Sequence, residues 1–283
     1  MSTPKNNYSD SDSIESDIEE SNQNLLTAFI NNISSKRSPR MMIQTNETNT
    51  ENQNNNQINT LREQNTTQKT NILSQLPKLG EVKITNVVSM FYVGCNLNLK
   101  EIAKKLNEKG NYNFEYNSKK FNALKLRLKE PKTIALIFDS GRIVVTGAKN
   151  EEDSKKAAKE FTKIIRSTGY EVKFKDKDFS ITNMSGTYNL GFNIRLNKLC
   201  VNLCKKFKIT NPKEERNKVH YEPEKYCGLT YKIKNPKLTA VIYATGRINF
   251  VGAKNKEDFK LGLEAIYPEV VEYKNENIKQ IKK

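Results

Sequence analysis

The chain contains one stretch of itself twice. Residues 121–153 align without a gap onto residues 226–258, and 15 of the 33 positions are identical. The matches include Pro131-Lys132 with Pro236-Lys237, and the run Gly147 to Asn150 with Gly252 to Asn255. Upstream, Ile84-Thr85-Asn86 recurs as Ile181-Thr182-Asn183 and Gly94 recurs as Gly191, at an offset of 97 in place of 105. The change of offset is an eight-residue insertion in the second copy between Cys200 and Tyr221, where Lys and Asn dominate and a loop is expected. A duplication this long constrains everything else, because whatever fold the first copy adopts the second must adopt as well.

Each copy reads as a strand, a helix, three strands and a closing helix. The leading strands are expected at 81–91 and 179–188, and the helices after them at 98–108 and 195–207. In the first copy a strand from Phe121 to Leu128 ends at Pro131-Lys132, a second from Ile134 to Phe138 ends at Ser140-Gly141, and a third from Arg142 to Thr146 runs into Gly147. Those are hairpin signals. The closing helix, 151–168, has Asn150 as its N-cap, Glu151, Glu152 and Asp153 in its first turn, and Gly169 just past its end. Ala157, Ala158, Phe161, Ile164 and Ile165 form one stripe at helical spacing that must pack on a sheet. Lys155, Lys156, Lys159, Lys163 and Arg166 then face away.

Charge separates the repeats from what precedes them. Residues 1–80 hold 7 Lys/Arg against 9 Asp/Glu, whereas residues 81–283 hold 41 against 23, a net of +18. Such an excess on a folded body predicts a polyanionic partner, with nucleic acid ahead of an anionic membrane. Residues 1–78 are acidic and serine-rich at the start and dominated by Asn, Gln and Thr from Gln44 to Thr70. They cannot bury enough apolar surface to offset the entropy of ordering, and a disordered tail is expected. Residues 274–283 read as a basic C-terminal tail. No apolar run is long enough to span a membrane, and Leu25 to Ile30 lacks signal-peptide flanks, so a soluble intracellular protein with no membrane partner is expected. Cys95, Cys200, Cys204 and Cys227 lack the spacing of a disulfide framework and are expected to be reduced core thiols.

An enzyme is not expected, nor a cofactor. The only histidine is His220, no glycine-rich loop is built to cradle phosphate, and no carboxylate pair recurs in an apolar setting. Cys200 and Cys204 with His220 and Cys227 do not have the spacing of a zinc finger. The strands carry something else. On the parity shared by Phe121, Leu136, Phe138, Val144 and Thr146, and by Asn86 and Val88, the face opposite the helices is mostly apolar. In a sheet covered by helices on one side, those positions are normally polar and solvated. An exposed apolar face marks a partner, either a ligand or another chain.

The segment Phe121 through Lys149, with Glu130-Pro131-Lys132, Leu136-Ile137-Phe138, Ser140-Gly141-Arg142 and Thr146-Gly147-Ala148-Lys149, closely resembles the TATA-box-binding protein family. Tyr221-Glu222-Pro223-Glu224 resembles the family's second repeat. The resemblance covers about residues 79–273. It implies an α+β fold in which two tandem pseudo-twofold repeats, 79–170 and 171–273, form a curved ten-stranded antiparallel saddle with four helices on the convex face. It also implies that the concave face lies in the minor groove of a TATA element and drives apolar wedges between base steps.

Site residues carry over one at a time. Asn86 and Asn183 match the family's paired central asparagines, and Val88, Leu136, Val144 and Thr146 match its concave contacts. Ser185, Val241, Asn249 and Val251 hold the corresponding places of the second repeat. Phe121 and Phe138 match one wedge, and Tyr226 and Tyr243 occupy the positions of the other. Lys120, Arg127, Lys132 and Arg142, with Lys225, Lys232, Lys237 and Arg247, match or neighbour positions that hold DNA phosphates. The chemistry agrees, since a minor groove over A·T pairs presents only acceptors and suits a few central donors among apolar contacts.

The resemblance implies a general initiation factor, monomeric on double-stranded promoter DNA, that bends it and nucleates assembly with IIA-like and IIB-like factors and the RNA polymerase machinery. Glu222 and Glu224 match the surface offered to initiation factor IIB, although Lys225 replaces a usual leucine. The implied compartment is the nucleus, or a cytoplasmic viral factory or virion for a viral member. The second repeat departs from the family pattern. Ser185 and Asn249 stand where valine is usual, Val251 where threonine is usual, and tyrosines replace both wedge phenylalanines. Such a divergent member, of the kind a protist or a large DNA virus would carry, is expected to tolerate G·C pairs better under its second repeat. The competing reading is a relative that has lost DNA recognition and acts as a scaffold for polymerase factors.

Overall fold

A computed structural model of the chain describes residues 79–209, 211 and 218–275. The tail expected over 1–78, most of the repeat 2 insertion and the chain after residue 275 lie outside the described residues. The first repeat runs β1 (Lys83–Tyr92), α1 (Leu99–Lys109), β2 (Asn113–Glu115), β3 (Ala123–Leu128), β4 (Thr133–Phe138), β5 (Arg142–Ala148) and α2 (Glu151–Ser167). The second runs β6 (Ser180–Asn189), α3 (Leu196–Lys206), β7 (Val219–His220), β8 (Leu229–Ile233), β9 (Leu238–Ile242), β10 (Arg247–Ala253) and α4 (Lys256–Val271). β2 and β7 escape a reading of periodicity because three or two residues are too few to display an alternation. They exist because β3 and β8 present open edges to pair with.

All ten strands join one curved antiparallel sheet in the order β2-β3-β4-β5-β1-β6-β10-β9-β8-β7. Exchanging the repeats reverses the order without changing it. At the middle, β1 and β6 pair so that Val87 lies opposite Met184, Asn86 opposite Ser185 and Val88 opposite Asn183. Val87 and Met184 are counterparts at the offset of 97, so the pseudo-twofold axis passes between them.

Local chemistry is duplicated as faithfully as the topology. Asn150 and Asn255 cap α2 and α4, their side chains accepting from the backbone N–H of Asp153 at 2.7 Å and of Asp258 at 2.9 Å. Acidic residues in both first turns complement the positive end of the helix. Gly141 and Gly246 have φ of +79° and +83°, and a Cβ at either would stand 2.0 Å from a backbone carbonyl oxygen, of Cys95 or of Phe192. Only glycine permits that crossing.

The helices share one face of the sheet. Phe91, Leu124, Leu126, Ile137, Ile143 and Val145 pack with Ile102 and Leu106 of α1 and with Ala157, Ala158, Phe161 and Ile165 of α2. Ala240, Ile242, Ile248 and Phe250 pack in the same way with Leu199, Leu203, Phe259, Leu263 and Ile266. Within the α2 stripe Ile164 is only partly buried, and Ser154 takes a fully buried place where its hydroxyl meets that of Ser89 at 2.7 Å. The two hydroxyls satisfy one another, as buried polar groups must.

None of the four cysteines is a fully buried core residue as expected: Cys95 and Cys200 are half-buried against the two cores, Cys204 is half-buried and Cys227 is exposed. On α3 the inward stripe is already filled by Leu196, Leu199 and Leu203, which leaves Cys200 and Cys204 on the flanks. Among the described residues no helix is long and apolar enough to cross a membrane.

Candidate nucleic-acid interface

Strand register decides what the helix-free face carries. In the first repeat Leu136 lies opposite Val144 and Ile134 opposite Thr146. In the second, Asn249 lies opposite Val241 on one side and Thr187 on the other, and Val251 opposite Thr239 and Ser185. Ser185 thus stands between Asn86 and Val251 in one row across the middle strands. Asn86, Val88, Leu136, Val144, Thr146, Asn183, Ser185, Val241, Asn249 and Val251 are therefore gathered on a single face. Ile134 and Thr239 belong to it as well; each lies two residues before a residue already assigned there, so strand alternation alone would have found them.

That face is less open than its composition suggests. Val88, Leu136 and Val144 are buried although they belong to neither helix-side core, because side chains converge on the inner side of a curved sheet. In the second repeat Val241, Asn249 and Val251 are half-buried.

An aromatic pair closes each end of the face. Phe121 and Phe138 meet edge to face with ring centroids 6.4 Å apart and planes at 66°. Tyr226 and Tyr243 repeat this at 6.3 Å and 66°. The two phenols are also hydrogen-bonded, oxygen to oxygen at 2.6 Å. Burial pushes the Tyr243 phenol well above the ordinary tyrosine range, and the bond to Tyr226 adds to the shift. Beneath the pair, a Cβ on Gly228 would lie 2.7 Å from Val241 and 2.9 Å from the Tyr226 ring, so the rings need glycine there.

The two central asparagines are held differently. Asn86 Oδ1 accepts from the Gly147 backbone N–H at 2.8 Å and from the Thr146 hydroxyl at 3.2 Å. With its oxygen taken, Asn86 presents its NH2 group. The counterpart of Thr146 is Val251, which has no hydroxyl, so Asn183 lacks that anchor.

Around the rim, Lys120, Lys132, Arg142, Lys225, Lys232 and Lys237 are exposed, and Arg127 and Arg247 are half-buried. Arg127 is drawn to Glu115 at 3.4 Å, and Lys225 pairs with Glu222. Glu222 also lies 3.6 Å from His220 Nε2, so of the two glutamates only Glu224 is fully displayed. Among the described residues no group of three or more His, Cys, Asp or Glu is gathered to hold a metal ion.

The duplicated sheet agrees with a known family. The profile described as "Transcription factor TFIID (or TATA-binding protein, TBP)" matches residues 81–168 and 178–273, one span in each repeat. The chain belongs to the TATA-binding protein family. It is 39% identical over 191 residues to the TATA-box-binding protein of Saccharomyces cerevisiae, covering 68% of this chain and 72% of that one. It is 40% identical over 191 residues to that of Acanthamoeba castellanii, covering 68% and 67%. Its fold is similar to that of Methanococcus jannaschii TBP, with a TM-score of 0.56 at 32% identity over 68% of this chain and 99% of the other. Members of this family are transcription factors, not enzymes.

Proposed function

We propose that this family member is a nuclear general transcription initiation factor that binds AT-rich, TATA-like promoter DNA in the minor groove and bends it. The observation that carries the reading is the pair of aromatic clusters at the two ends of one helix-free face, with asparagines at its centre. In this reading Asn86 and Asn183 donate to the acceptors on A·T pairs, and Val88, Leu136, Val144, Thr146 and Val241 fill the apolar floor. Phe121 with Phe138, and Tyr226 with Tyr243, enter base steps at the two ends and unstack them, which bends the duplex. The rim lysines and arginines hold the bent backbone and release counterions, so binding weakens steeply with salt.

Bending supplies a shaped platform for assembly, on which Glu224 serves a IIB-like factor and the convex helices stay free for IIA-like and polymerase partners. A titration of the full chain with an AT-rich and a GC duplex at several salt concentrations, with energy transfer between the duplex ends, tests the reading. Preferential binding and bending of the AT-rich duplex is expected. Equal, unbent binding of both would leave only the scaffold role.

A further inference from the structure

The two halves of the face are not chemically equivalent, and the difference is concentrated beside the central asparagines. We propose that the half under repeat 1 accepts only A·T pairs, whereas the half under repeat 2 accepts a G·C pair through Asn249 and Ser185. This rests on the minor-groove reading given above.

Guanine differs from adenine in the minor groove by an amino group, a donor that points at the protein. Over Val88 and Val144 that donor loses its water and finds no acceptor, which costs heavily. Asn86 cannot rescue it, because its oxygen is already occupied by Gly147 and Thr146, and the NH2 left over would meet donor with donor. At the counterpart positions the second repeat carries Ser185 and Asn249, each with an oxygen able to accept. Asn183, without the threonine that locks Asn86, is able to turn either end of its amide to the base.

A consequence separates this from mere looseness. The minor groove looks nearly the same from both directions, so a pseudo-twofold protein docks either way round. A chain with one strict and one tolerant half turns to place repeat 2 over the G·C pair wherever that pair lies. One G·C pair is then tolerated in either half of the element, and one in each half is not.

The test uses the full chain and four duplexes: all A·T, G·C in the left half, G·C in the right half, and G·C in both. Each one-sided duplex should bind within about threefold of the all-A·T duplex, and the two-sided one at least about tenfold more weakly. An iron chelate on the exposed Cys227 should cut beside the G·C pair in both one-sided complexes, with C227S as the background control. One-sided duplexes as weak as the two-sided one, or a two-sided duplex as tight as the one-sided ones, overturn the proposal. Failure to bind the all-A·T duplex overturns the DNA-binding reading instead. The wild-type series decides without any variant. The double change S185V/N249V then assigns the residues, since it should drop both one-sided duplexes to the two-sided level, and unchanged tolerance would show that other residues read the pair.

Discussion

The phenol oxygens of Tyr226 and Tyr243 stand 2.6 Å apart at the end of the sheet where the first repeat has the bare rings of Phe121 and Phe138. Each hydroxyl is the other's partner, so neither is stranded in the half-buried cluster. Tyr226→Phe should therefore lower stability by about 0.5–1.5 kcal/mol, because it removes the hydroxyl bonded to that of Tyr243. Adding Tyr243→Phe should recover part of the loss. Denaturant midpoints of the two single and one double variant measure the coupling, and strictly additive effects would refute it.

Burial and the same bond hold the Tyr243 phenol above the ordinary value of 10.0. A raised folded-state pKa contributes stability that is fully present below pH 10 and is lost as pH rises further toward the folded value. Spectrophotometric titration of the folded chain should show Tyr243 ionising late, together with Tyr231, whose phenol burial and Glu269 also raise. In Tyr243→Phe the late titration should lose one phenol and the alkaline loss of stability should become shallower.

The anchoring of Asn86 and its absence at Asn183 predict unequal effects of equivalent substitutions. Asn86→Ala leaves the Gly147 N–H and the Thr146 hydroxyl without their acceptor and should cost about 1–3 kcal/mol of folding stability. Asn183→Ala should cost less than half as much. Thermal melts of the two variants settle the comparison, and equal shifts would contradict the anchoring argument.

Phe121 and Phe138 already touch edge to face before any ligand arrives, so in the proposed minor-groove reading they are a preassembled wedge. Replacing both with Ala should abolish stable bending while leaving weak, strongly salt-dependent binding through the rim. Energy transfer between duplex ends reports the bend, and an unchanged bend angle would remove the wedge role.

Much of this was legible before any coordinates. The duplication, the hairpin positions at Pro131-Lys132 and Ser140-Gly141, the Asn150 cap and the inward stripe of α2 all arise from interactions between residues close in sequence, or from a repeat that is itself a sequence fact. The parity of β4 and β5 likewise assigned Leu136, Val144 and Thr146 to one face, because a strand alternates whatever it packs against. Tertiary structure alone decided the rest. The register that sets Val87 against Met184, the meeting of Ser89 with Ser154, the capture of Asn86 by Gly147 and Thr146 and the bond between Tyr226 and Tyr243 join residues from 17 to 97 positions apart. Local preference cannot specify such pairs. They follow from how far a strand slides before its apolar side chains meet the helices, and that distance is fixed only when the whole sheet closes on its core.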